Sequence, residues 1–149
     1  MTRRTFREHC FKILFCAEFY PDPEAGEQIR DYFLSGREEE TDSEGKTEVV
    51  HEVALSPEEE EEVRVRVDAV LSRMDEIDGE LREVMEGWKI GRVGKAELAI
   101  LRLAVYEMKY DEKVPEKVAI NEAVELAKKF CGEESPAFVN GILAKLIRK

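Results

Sequence analysis

The chain has 149 residues, 43% of them hydrophobic, enough for one core or for two small ones sharing a central element. Its nine glycines and five prolines are few, and Leu, Glu, Lys, Arg, Ala and Val dominate, which favours an all-helical fold. The net charge of -11 is unevenly spread: residues 1–17 hold four basic and one acidic side chain, a local +3, residues 18–62 a local -14, and the remainder is neutral. Acidity of the whole chain therefore does not exclude a nucleic-acid partner, because a local basic patch is what such a partner needs. No apolar run approaches the roughly 18 residues of a membrane span. The N-terminal arginines also lack the apolar stretch of a secretory signal. Cys10, Cys16 and Cys131 are widely spaced, with no Cys-x-x-Cys. They read as small hydrophobes in a reduced, cytoplasmic interior, with no metal or redox role.

The first predicted helix runs from Arg3 to about Phe19 and is closed by Pro21 and Pro23. Phe6, Cys10, Ile13, Leu14 and Ala17 share one face, with Arg4, Arg7, Phe11 and Phe15 broadly opposite and Lys12 at the edge. Arginines mixed with aromatics suit a surface that neutralises phosphates and stacks bases. The same pattern fits a helix sandwiched between two neighbours, which is the expected fate of Phe11 and leaves Phe15 open. Cations at a helix N-terminus oppose the macrodipole by about 0.3–1 kcal/mol each, so another interaction should favour them there.

A second, short helix is expected over Glu24–Leu34. The acidic stretch that follows, broken by Gly36 and Gly45, reads as an exposed loop. Thr47–Leu55 fits either a short strand or a helical turn. Ser56-Pro57-Glu58-Glu59 is a capping box with proline in the first turn, opening a helix to about Met74. A further helix covers Glu76–Glu86 and stops at Gly87, and Trp88 is expected to plug the junction after it.

Gly94–Tyr110 organises the rest. Leu98, Leu101, Val105 and Met108 form one apolar stripe, with Ile100, Leu103 and Ala104 beside it, so this helix should be the buried centre. Pro115 opens the next helix, to about Phe130, whose polar side holds Asn121, Glu125, Lys128 and Lys129. Ser135-Pro136 starts the last helix as an expected N-cap pair, and Gly141 within it suggests close approach of a neighbouring helix.

No catalytic constellation can be assembled. His9 and His51 lack metal-spaced neighbours, and there is no P-loop, G-x-G-x-x-G or G-x-S-x-G. Cys10 and His9 are consecutive on a helix and do not face one another. The pattern is that of a binding protein: not an enzyme, and without a cofactor.

Four stretches resemble the NusB family of bacterial transcription antitermination factors. They are Trp88 with AILRLAVYEM (Ala99–Met108), VPEKVAINEAVELAKKF (Val114–Phe130), SPAFVNGILAK (Ser135–Lys145), and RRTFRE (Arg3–Glu8) followed by Phe15. The match is strong from Trp88 onward, weaker over the first helix, and absent from about Glu24 to Arg73.

The resemblance implies an all-α fold of about seven helices in two small bundles packed around the central helix. The subdomains would span roughly 1–75 and 76–149, with an acidic insertion at about 37–55. It also implies pairing with NusE, a small-subunit ribosomal protein, and joint binding of boxA single-stranded RNA within the RNA polymerase antitermination complex on ribosomal RNA operons. Some relatives form a homodimer. By position, Arg3, Arg4, Arg7, Lys12 and Phe15 are the implied RNA-binding residues, and Glu97, Glu134 and Phe138 are RNA- or partner-facing. Thr5, Phe15 and Ala137 depart from the family pattern: Phe15 lacks the hydroxyl of a common Tyr, and Ala137 stands where a Lys is common. The alternative is a helical protein–protein scaffold or homodimer without RNA contact.

Overall fold

The computed structural model describes residues 1–18, 37–41, 45, 47–52, 55–85 and 90–147. In chain order these form α1 (Arg3–Ala17), β1 (Arg37–Thr41), β2 (Thr47–Glu52), α2 (Pro57–Ser72) and α3 (Met74–Val84). A single 3-10 turn (Ile90–Arg92) then leads to α4 (Lys95–Tyr110), α5 (Glu116–Phe130) and α6 (Ser135–Ala144). The helix expected over Glu24–Leu34, Gly87 and Trp88 lie outside the described residues.

Helix α4 is the shared centre. It packs against each of the other five described helices: α1, α2 and α3, and the pair α5 and α6, which also pack on one another. The reason lies in its girth, since Leu98, Ile100, Leu101, Leu103, Ala104, Val105 and Met108 are all buried. Each such side chain contributes on the order of 1.5–3 kcal/mol when removed from water, so covering it on every side is strongly favoured. Helix α1 fills the space between α2 and α4 with Phe6, Cys10, Ile13 and Leu14. Phe11 is buried as well, so α1 is the sandwiched helix anticipated from its second apolar edge.

Two helix starts follow local capping chemistry, and two expectations for α6 do not hold. The Ser56–Glu59 capping box is complete: Ser56 Oγ accepts from the Glu59 N–H at 3.2 Å, and the Glu59 carboxylate accepts from the Ser56 N–H at 3.0 Å. Thr2 caps α1 in the same sense, accepting from the Thr5 N–H at 3.0 Å. Ser135, however, does not cap α6. Glu134 takes the N-cap position, and the Ser135 hydroxyl donates to Glu97 instead. Gly141 marks no close helix approach either: a Cβ built there meets nothing within 4 Å, and the residue is exposed.

Within the acidic stretch, β1 and β2 pair as a small antiparallel hairpin where the sequence suggests a loop. Arg37 faces Glu52 and Thr41 faces Thr47, with an irregularity between Glu38 and Glu39. Gly45 lies between the strands at a φ of 84°, a conformation open to glycine and strained for other residues. Of the two options for Thr47–Leu55, the strand is adopted over Thr47–Glu52, in keeping with the β-branched Thr47, Val49 and Val50.

Candidate nucleic-acid interface

The three N-terminal arginines diverge. Successive positions on a helix differ by about 100°, so three residues within two turns meet three different neighbours. Arg3 leans over the Phe6 ring at 4.5 Å and pairs with Glu62 of α2 at 2.6 Å. Arg4 reaches the other way, donating from Nε and Nη2 to Glu122 of α5 at 3.1 and 3.2 Å. Arg7 points inward. It is only 7% exposed, and its Nε and Nη2 donate to the buried Glu107 of α4 at 2.8–3.0 Å.

Arg7 therefore corrects the expectation drawn from the resemblance. Its guanidinium is committed to the core, where removing it would leave Glu107 as an unpaired buried charge. Arg3 is also separated from Phe15, being turned toward α2. Among the expected basic residues, Arg4 and Lys12 belong to the side of α1 that borders α5.

That side continues onto α5 as an aromatic strip flanked by cations. The Phe11 ring lies 6.1 Å from Phe15 and 5.0 Å from Phe130, the last residue of α5. Lys12 Nζ sits 5.7 Å from the Phe130 ring centre, and Lys129 Nζ 5.5 Å from it. Phe15 and Phe130 are both half-buried, each resting on the core while keeping part of its ring at the surface. Half-exposed rings next to ammonium groups provide a stacking platform beside phosphate-binding charge. The strip is not purely cationic: Glu122 holds Arg4, and Glu8 accepts from Lys129 Nζ at 2.7 Å. The hydrogen bond and charge of Glu122 raise the Arg4 pKa above its ordinary value, so the guanidinium stays charged.

Beyond Phe130 the surface passes directly to the other three expected residues. Cys131, the next residue after Phe130, lies close to Glu97; burial first, then that carboxylate, push its thiol up to about 11. Glu97 accepts from the Ser135 hydroxyl at 2.8 Å. Its carboxylate folds back over Gly94, where an added Cβ would fall 2.1 Å from Oε2. A carboxylate in the first turn suits the positive end of α4. Glu97, Glu134 and Phe138 line one open cleft of about 420 Å³ together with Arg92, Val93, Gly94 and Ser135. Glu97 and the Glu134–Phe138 turn, 37 positions further on, are thus gathered between the N-terminal ends of α4 and α6.

Three residues of this surface escaped sequence reasoning: Lys129, Phe130 and Arg92. The Lys-Lys-Phe run at the end of α5 was the available signal, but cations favour any helix C-terminus, which masks it. Among the described residues no group of three His, Cys, Asp or Glu could hold a metal ion, and no helix is long and apolar enough to cross a membrane.

A family model described as the NusB family matches residues 4–148. The chain belongs to the NusB family. It is 45% identical over 147 residues to the transcription antitermination protein NusB of Lachnoclostridium phytofermentans, covering 99% of each chain. The fold is similar to that of T. maritima NusB, with a TM-score of 0.78 and 27% identity over 98% of this chain and 90% of that one. It is also similar to a crystal structure of the antitermination factors NusB and NusE in complex with double-stranded RNA. There the TM-score is 0.69 with 21% identity, covering 97% of this chain and 94% of that one, a likeness of fold. The family match runs through residues 24–73, where the motif resemblance is silent.

Proposed function

We propose that this chain acts in transcription antitermination by binding boxA RNA together with NusE, as a cytoplasmic adaptor that binds and does not catalyse. Membership of the NusB family supports the reading, and one observation carries it: the continuous surface from Arg4, Lys12 and Phe15 through Phe130 to the cleft of Glu97, Glu134 and Phe138. Its two ends differ in chemistry. The α1–α5 end offers ammonium groups and half-exposed rings, which suit phosphates and unstacked bases. The cleft carries two carboxylates against one arginine, Arg92, together with an aromatic; a net negative lining disfavours phosphate and suits a protein partner, so Glu97, Glu134 and Phe138 are assigned to NusE. The alternating charges of the RNA end limit its affinity alone, and the partner extends the surface.

Fluorescence anisotropy with labelled boxA RNA, with and without purified NusE, tests this reading. Saturable binding is expected, tightened by NusE. Glu134→Arg should remove the tightening while leaving binding by the isolated chain in place. An RNA that fails to saturate even with NusE present contradicts the proposal.

A further inference from the structure

The carboxyl end of α1 carries Phe15 and Lys12 to the surface, yet its last turn contains no basic residue to offset the negative end of the helix. A cation reaches it from elsewhere. Arg102, at the middle of α4, donates from Nη1 to Glu18, the C-cap residue of α1, at 2.6 Å. The same guanidinium is held on its other edge by Asp78 of α3, through Nε and Nη2 at 2.9 Å each. Both Arg102 and Asp78 are nearly buried, so the fork is anchored on α3 and α4 and offers one remaining arm to α1. The bidentate geometry fixes the direction of that arm, which a lysine in the same place would not do.

We infer that Arg102 is a positioning residue for RNA binding: through Glu18 it fixes the last turn of α1, and with it the placement of Phe15 and Lys12 on the recognition surface. This rests on the functional reading above and adds to it a pair that touches no RNA. Phe15 lies one turn before Glu18, so a last turn released from Arg102 frays at the position that has to present the ring.

The test exploits a conflict of signs. Glu18→Ala removes the acceptor for Arg102 and, with it, a negative charge beside a polyanion-binding surface, so simple electrostatics predicts tighter RNA binding. Positioning predicts the opposite, a loss of about three- to ten-fold, in the range of couplings carried by residues that contact neither ligand. Its salt dependence should stay that of the wild type, because no phosphate contact is removed. Amide hydrogen exchange of the RNA-free protein supplies the second readout, with faster exchange expected over residues 15–18 alone. Arg102→Lys should show the same local exchange and a similar loss of affinity. Glu18→Ala that binds RNA as tightly as wild type or tighter, or that leaves exchange at the end of α1 unchanged, overturns the inference. Wild-type protein that binds no RNA with NusE present contradicts the functional reading instead, while the exchange comparison still reports whether the tether holds the helix end.

Discussion

Arg7 and Glu107 stand a hundred positions apart in the chain and meet in the core, three donor–acceptor contacts joining α1 to α4. A helical wheel places Arg7 about 60° from Arg4, so the sequence alone puts both on one basic face. What separates them is tertiary: Arg4 finds Glu122 on α5, and Arg7 finds the buried carboxylate of Glu107 on α4. Periodicity reports which side of a helix a residue occupies, and it cannot report which neighbour carries the opposite charge. The residues whose role was chiefly apolar were legible for the same reason, because any neighbour buries them. Phe11 needed only a helix on its second edge, and α5 supplies it through Phe130. A structural role for Arg7 has a measurable cost. Arg7→Met should destabilise the fold by about 3–5 kcal/mol in urea unfolding, since it strands Glu107, and adding Glu107→Leu should recover most of that loss. A single variant within about 0.5 kcal/mol of wild type, the range of ordinary surface substitutions, would return Arg7 to the surface account.

At the scale of elements, the signals that proved reliable were those whose chemistry is complete within a few residues. The capping box at Ser56 is self-contained, with both partners inside one turn, and it forms as read. The Ser135-Pro136 pair looks equally local, but Ser135 has a competing acceptor in Glu97, 38 positions earlier, and the hydroxyl goes there. The hairpin was half visible: β2 carries β-branched residues, while the glutamate-rich β1 has no strand preference of its own and is recruited by pairing. Gly141 suggests close packing from the sequence, but the open space around it leaves only the cost of glycine in a helix. Two substitutions separate these cases. Ser56→Ala should cost roughly 1 kcal/mol by breaking the cap. Gly141→Ala should instead raise stability, by up to about 1 kcal/mol. Thermal unfolding of both checks them together, and a destabilised Gly141→Ala would mean that α6 does meet a neighbour there.

For the whole molecule, the central claim is that an acidic protein binds a polyanion through one narrow strip between α1 and α5. The fold was legible because α4 is apolar around most of its circumference and so has to be surrounded. The expected functional residues are legible only as a set; the proposed division into RNA end, partner end and core needs coordinates, because the carboxylates that sort Arg3, Arg4 and Arg7 lie on three other helices, α2, α5 and α4. The division makes a quantitative prediction about salt. The most direct measurement is the slope of log affinity against log salt concentration for boxA RNA in the presence of NusE. The Arg4→Gln, Lys12→Gln double variant should reduce the magnitude of that slope by about 1.4, roughly 0.7 for each phosphate no longer neutralised on a single strand. Arg3→Gln, on the side facing α2, should leave the slope unchanged. An unchanged slope in the double variant, or an equal reduction from Arg3→Gln, would contradict the assignment of the strip as the nucleic-acid surface.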